Sequence, residues 1–87
     1  MNREEVFSYV ESKVRERARG GKPLGSQTNI VAEGIVDSFA FLELLSEIEQ
    51  YFKIQIDPGD HDFETLTTLG GLVDVTMRAL PPPVSFG

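Results

Sequence analysis

The chain has 87 residues, a formal net charge of −6, and 40% hydrophobic and 25% charged residues. A chain of this length buries one small core, so a deep enclosed active site is not expected and a binding, carrying or adaptor role is favoured. The absence of cysteine excludes a disulfide scaffold, a thiolate metal site and a thiol nucleophile encoded by the chain itself.

The distribution of charge narrows the range of partners. Residues 1–22 carry six basic and four acidic side chains, whereas the remaining residues carry two basic and ten acidic ones. The overall net charge of −6 argues against a general affinity for nucleic acid, because phosphate binding depends on clustered lysine and arginine. No long apolar run is present, which predicts neither a secretory signal nor membrane insertion. We therefore expect a cytoplasmic protein, and nothing requires more than a monomer.

The first predicted helix covers residues 3–19. Val6, Val10 and Val14 recur at helical spacing and form one apolar stripe, and Gly20 ends the run. A long loop over residues 20–36 follows, rich in Gly, Ser, Asn and Pro and without a hydrophobic period. Loops of this length in small domains are often tied to function. Four apolar residues are expected to hold it to the core: Ile30, Val31, Ile35 and Val36.

The second predicted helix, over residues 38–53, has two different faces. At about 100° per residue, one stripe is apolar and should lie in the core: Phe41, Leu44, Leu45, Ile48 and Phe52. Phe39 and Leu42 fall outside this stripe, near Glu43 and Glu49. The pattern predicts that Phe39 and Leu42 are partly exposed apolar groups on a face edged with acid.

The last third of the chain predicts one short and one longer helix. A turn at residues 57–59 precedes one or two helical turns within residues 60–66, where Phe63 and Leu66 are expected in the core. A last helix runs from about residue 67 or 68 to residue 79, before a flexible proline-rich tail at 81–87. The fold class is therefore all-α, a small four-helix bundle of three main helices and one short helix. Residues 1–80 form the single domain.

Two motifs that could suggest catalysis or metal binding lack residues that they require. Asp60, Asp62 and Glu64 match the start of a calcium loop, but the required glycine and glutamate are replaced by Thr65 and Gly71. No metal site is predicted. The only histidine is His61, and no serine lies in a nucleophile elbow, so hydrolase activity is not expected.

The pair Asp37-Ser38 at the start of the second helix allows two interpretations. Either residue is a suitable N-cap, and neither is followed by the glutamate or glutamine of a capping box, since the third helical residue is then Ala40 or Phe41. The serine is thus either a cap or a site of chemistry. The local motif leaves both open.

In their wider context these residues resemble acyl and peptidyl carrier proteins. The resemblance covers roughly residues 3–80 and is carried by Asp37-Ser38, Leu42-Glu43-Leu44, Glu47-Ile48-Glu49, the segment 52–56 and Phe63-Glu64-Thr65-Leu66. It implies that a phosphopantetheinyl transferase attaches 4′-phosphopantetheine from coenzyme A to Ser38 covalently. It also implies a carrier without catalytic residues, because the thiol of the arm holds the cargo as a thioester.

The resemblance further implies that partner enzymes bring basic patches to the second helix. The matching positions here are Asp37, Phe39, Leu42, Glu43 and Glu49, where acid would steer encounter and an exposed aromatic would anchor it. The expected partners are the transferase, an adenylating or acyl-loading enzyme, and a downstream acyltransferase or synthase.

The details favour one branch of the family. The run Gly34-Ile35-Val36-Asp37-Ser38-Phe39, followed by Ala40, is more similar to free-standing peptidyl or D-alanyl-type carriers than to fatty-acid-synthesis carriers. The leading hypothesis is a discrete carrier of acyl or aminoacyl thioesters. The alternative is a small helical protein-interaction domain in which Ser38 is only a helix cap.

Overall fold

The computed structural model describes residues 2–18, 20–21 and 23–81. These contain four helices and one 3-10 turn, in the order α1 (Arg3–Arg17), α2 (Ser38–Phe52), the turn Pro58–Asp60, α3 (Phe63–Thr67) and α4 (Leu69–Ala79). The all-α bundle with a long first loop is confirmed. The predicted flexible tail lies outside the described residues, except for Pro81.

The helix ends differ from the predicted ones by a few residues. α1 begins with a capping box, in which Asn2 accepts from the Glu5 backbone N–H and the Glu5 carboxylate accepts from the Asn2 N–H. It ends at Arg17 rather than residue 19, because Ala18 is already extended. α2 ends at Phe52, one residue early, since Lys53 adopts a left-handed conformation with φ of 56°.

One apolar cluster joins all the helices and the long loop. Its members include the stripe of α1 and most of the stripe predicted for α2: Val6, Val10, Val14, Phe41, Leu44, Leu45 and Ile48. The loop contributes Ile30, Ile35 and Val36 as expected, whereas Val31 and Phe52 are only partly buried. No helix in the described segments is long and apolar enough to cross a membrane.

Ion pairs tie α1 to its neighbours at the edge of this core. Lys13 Nζ lies 3.1 Å from Glu47 Oε1, and Arg17 pairs with the second oxygen of Glu47. Hydrogen bonds from Arg17 and then from Lys13 hold the pKa of the Glu47 carboxyl below its ordinary value. Arg3 pairs with Asp74 of α4. The pairs of Glu47 thus join α2 to α1, and the pair of Arg3 joins α4 to α1.

The long loop caps α4 with its own backbone. Thr28 O accepts from the Leu69 N–H at 2.9 Å, and Ser26 O accepts from the Gly70 N–H at 2.8 Å. These two N–H groups lie in the first turn of α4, where they have no acceptor within the helix. The Thr68 side chain does not cap them. The Thr68 hydroxyl group donates to the Glu64 carbonyl instead, so the loop supplies the acceptors for the start of α4.

The loop also binds the end of α3. The Ile30 N–H donates to Thr67 O at 2.9 Å, and Asn29 Nδ2 donates to Thr67 Oγ1 at the same distance. Asn29 Oδ1 in turn accepts from the backbone N–H groups of Val31 and Ala32. One asparagine thus shapes the loop and joins it to the α3–α4 corner.

Two glycines permit the close approach at this corner. A Cβ atom on Gly70 would lie 2.8 Å from Ser26 O, and one on Gly71 would lie only 1.9 Å from Thr65 O. Real Cβ atoms do not approach backbone oxygen that closely. At Gly71 there is no room for any side chain while α3 stays in place.

We expect Gly71→Ala to destabilise the fold although alanine is the better helix former. Propensity alone would favour alanine by about 1 kcal/mol, but displacing the α3 backbone should reverse the sign and lower the free energy of unfolding by about 1–3 kcal/mol. Urea unfolding followed by circular dichroism measures this. Gly21→Ala is the matched control, because no atom lies within 4 Å of its would-be Cβ. Equal stability of the two variants would contradict the close approach.

Candidate functional site

The start of α2 separates the roles of Asp37 and Ser38. Asp37 is the N-cap, and its Oδ1 accepts from the Ala40 N–H at 2.7 Å. The Phe41 N–H donates to the Asp37 carbonyl at 2.9 Å, which closes the first helical turn. The interpretation of Ser38 as the cap is therefore wrong. The helix is already capped by the residue before it.

Ser38 is the first residue of α2 and is exposed. It lies between two surface hollows. The loop hollow, of about 300 Å³, is lined by Val31, Gly34, Val36, Asp37 and Ser38. The apolar groove, of about 180 Å³, runs from Ser38 toward α3 and is lined by Ser38, Phe41, Leu42, Leu45, Pro58, Phe63 and Leu66. The hydroxyl group is thus accessible and has space on both sides.

The exposure predicted for the outer face of α2 is confirmed. Phe39 is 72% exposed and Leu42 is 59% exposed, and the carboxylates of Asp37 and Glu43 also lie at the surface. Two large apolar side chains in water beside a reachable serine are typical of a contact surface. The binding role of these residues stays a prediction.

The structure corrects the position expected for Glu49. Its side chain is partly buried, and Oε2 accepts from the Ile56 N–H at 2.9 Å. Glu49 lies only about 80° from Phe41 around the helix, between the core stripe and the outer face. Its carboxylate therefore holds the chain that follows α2 and is less available at the rim than expected.

Phe63 was expected in the core, and this is wrong. It is 59% exposed, whereas Leu66 of the same short helix is fully buried. The Phe63 ring packs edge-on against Phe41, with centroids 6.3 Å apart, and forms one wall of the apolar groove. A helix of five residues is too short for its hydrophobic period to show which aromatic faces inward. Phe63 is the residue near the site that sequence reasoning missed.

Comparison with protein families identifies the type of domain. The family described as "Phosphopantetheine attachment site" matches residues 9–75, which is most of the chain. The chain belongs to this family. Its members are carrier domains rather than enzymes, and they hold 4′-phosphopantetheine covalently. No curated protein and no solved structure matches this carrier significantly.

The start of α2 in this carrier fits such a group. The first N–H groups of a helix have no acceptor within it, and the positive end of the helix dipole favours a phosphate there. Asp37 takes one of these donors, from Ala40, and leaves the exposed Ser38 at the very end of the helix. The two hollows beside Ser38 leave open space on either side of this serine.

The division of roles predicts different effects for two neighbouring substitutions. Asp37→Ala removes the cap and should lower the free energy of unfolding by about 1 kcal/mol. Ser38→Ala removes only an exposed hydroxyl group, so its effect should stay within about 0.5 kcal/mol. Thermal and urea unfolding of the unmodified protein measure both. A larger loss of stability in Ser38→Ala than in Asp37→Ala would indicate that Ser38 is the N-cap.

Proposed function

We propose that Ser38 is the attachment point of the 4′-phosphopantetheine arm, and that the chain presents an acyl or aminoacyl thioester to partner enzymes. The observation that carries this is the exposed hydroxyl group at the first residue of α2, directly after a separate N-cap. Because Asp37 caps the helix, Ser38 is not needed as the cap. The arm supplies the thiol that this cysteine-free sequence lacks.

The surface around Ser38 suits enzymes with an apolar centre and a basic rim. Phe39 and Leu42 project their apolar groups into water, with the carboxylates of Asp37 and Glu43 beside them. Complementary charge raises the rate of encounter, and an exposed aromatic is the type of residue that contributes most to binding. We assign this surface to the phosphopantetheinyl transferase, to an adenylating or acyl-loading enzyme, and to a downstream acyltransferase or synthase.

Two observations support a small cargo, such as an aminoacyl group. The segment before Ser38 is similar to peptidyl and D-alanyl-type carriers, with Ala40 two residues after the serine. The apolar groove, of about 180 Å³, is similar in size to the roughly 150 Å³ cavity that takes up one benzene molecule. A groove of this size has room for a short side chain.

The alternative, an interaction domain in which Ser38 serves only as a cap, gains no support. It requires Ser38 to cap the helix, and Asp37 is the N-cap instead. An exposed docking surface remains compatible with both functions. Modification of Ser38 distinguishes them.

Incubation with coenzyme A and a broad-specificity phosphopantetheinyl transferase should add one phosphopantetheine group per chain. Ser38 is the exposed serine at the helix end, so Ser38→Ala should take up none. Intact-mass spectrometry measures the adduct.

Ser46→Ala is the matched control, because Ser46 is an exposed serine on the same helix. This variant should be modified like the unaltered chain. An unmodified wild-type chain, or an adduct on Ser38→Ala, would refute the proposed attachment site.

Phe39→Ala should weaken recognition by the transferase without weakening the fold. An enzyme that reaches the Ser38 hydroxyl must come close to the adjacent ring, so kcat/KM for the carrier should fall about tenfold. The free energy of unfolding should change by no more than about 0.5 kcal/mol, because the ring is 72% exposed. Modification kinetics and urea unfolding give the two values.

Ile48→Ala is the opposite control. Ile48 is fully buried in α2, and its truncation should lower stability by about 2–5 kcal/mol. At a temperature where this variant remains folded, its kcat/KM should stay near that of the unaltered chain. An unchanged kcat/KM in Phe39→Ala would remove Phe39 from the docking surface.

A further inference from the structure

A second exposed aromatic surface lies at the other end of α2. Tyr51 is 56% exposed and stacks on Tyr9 of α1, with ring centroids 3.9 Å apart and planes 17° from parallel. Phe52 meets both rings edge-on. An open hollow of about 420 Å³ lies beside the stack, lined by Glu4, Glu5, Ser8, Tyr9 and Tyr51. We call these five residues the tyrosine hollow.

The tyrosine hollow is separate from the surface around Ser38. Tyr51 comes thirteen residues after Ser38, which places it about 20 Å further along the axis of α2. Around the helix, Tyr51 lies about 180° from Leu42 and about 120° from Phe39. A partner bound there need not cover the serine or the apolar groove.

The hollow has the chemistry of a cation site. The face of an aromatic ring attracts cations, and Lys13 Nζ already lies 5.6 Å from the centroid of the Tyr9 ring. Lys13 is itself paired with Glu16 and Glu47, so it does not neutralise the carboxylates that line the hollow.

Two carboxylates stand at the edge of the hollow. Glu4 and Glu5 are both exposed in the first turn of α1. Glu5 is partly engaged through its capping bond to the Asn2 N–H, which leaves Glu4 as the better ion-pair partner. Together the two full charges exceed the roughly half positive charge of the helix end.

We infer that the tyrosine hollow binds an arginine side chain from a partner polypeptide. A guanidinium group is planar, so it stacks on the exposed part of the Tyr51 ring and donates to a carboxylate at the same time, which a lysine ammonium group does less well. Because the hollow is remote from Ser38, this contact holds the carrier to a partner while an enzyme works on the arm.

The test uses the modified full chain, labelled with ¹⁵N, and an acetylated, amidated pentapeptide with two arginines among glycines. Titration should shift the amide signals of residues 4–9 and of Tyr51, with weak saturable binding. The same peptide with citrulline in place of arginine should not bind, since it lacks the charge. The lysine peptide should bind about two- to fivefold more weakly.

Variants distinguish the contribution of the Tyr51 ring to peptide binding from that of the Glu4 carboxylate. Tyr51→Ala should raise the Kd of the arginine peptide about fivefold and Glu4→Gln about twofold, whereas Tyr51→Phe should keep it within twofold. Glu64→Gln is the control for charge, because Glu64 is an exposed carboxylate on α3. Its Kd should match the unaltered chain. Glu4→Gln keeps the tyrosine stack intact, so it remains informative if Tyr51→Ala unfolds.

Several outcomes would overturn the inference. These are no signal shifts at millimolar peptide, shifts confined to Phe39, Leu42 and Glu43, or equal binding of the citrulline peptide. The inference would also be overturned if the chain associates with itself and Tyr51→Ala abolishes that association, because the occupant of the tyrosine hollow would then be a second copy of the chain. Ser38→Ala should bind the peptide normally, so loss of the attachment site and loss of the tyrosine hollow give different results.

Discussion

The contact between the long loop and the α3–α4 corner is the constraint on which the arrangement around Ser38 depends. The carbonyls of Ser26 and Thr28 satisfy the first N–H groups of α4, and the Ile30 N–H reaches back to the end of α3. The absence of a side chain at Gly71 lets α3 lie directly on α4. Because the same loop leads into Asp37 and α2, this corner places one wall of the apolar groove and the serine beside it. A substitution at this corner should therefore shift the apolar groove and Ser38, although the substituted residue does not contact them.

At the start of α2, the helix cap and the exposed hydroxyl group belong to two adjacent residues. Asp37 satisfies the free Ala40 N–H, so the hydroxyl of Ser38 is not needed for the helix. A capping serine would have its oxygen directed at the backbone and engaged there. A serine one position later keeps its oxygen at the surface. The pair thus combines a capped helix end with an exposed hydroxyl group.

Much of the fold and of the surface around Ser38 could be predicted from the sequence, because the hydrophobic period of a long amphipathic helix shows which face is buried. The burial of Phe41, Leu44 and Ile48 and the exposure of Phe39 and Leu42 follow from one helical period. The short helix α3 contains too little of a hydrophobic period to distinguish its faces, so the prediction that Phe63 is buried is wrong. Glu49 lies near the boundary between faces, where its hydrogen bond to the Ile56 N–H decided its position. The capping of α4 by a loop some 40 residues earlier leaves no local pattern, since it involves backbone atoms alone.

The place of Ser38 on a regular helix, rather than in the preceding loop, has a mechanical consequence. An arm attached there would have a fixed pivot, because the base of the arm moves only as α2 moves. Its freedom would lie in the side-chain bonds of Ser38 and in its own single bonds, and the entropy that the arm loses on entering an active site would come from these bonds. An enzyme that grips α2 would thereby also set the direction from which the tip arrives. The protein would thus set the direction in which the arm extends, and the arm itself would set the distance that its tip can cover.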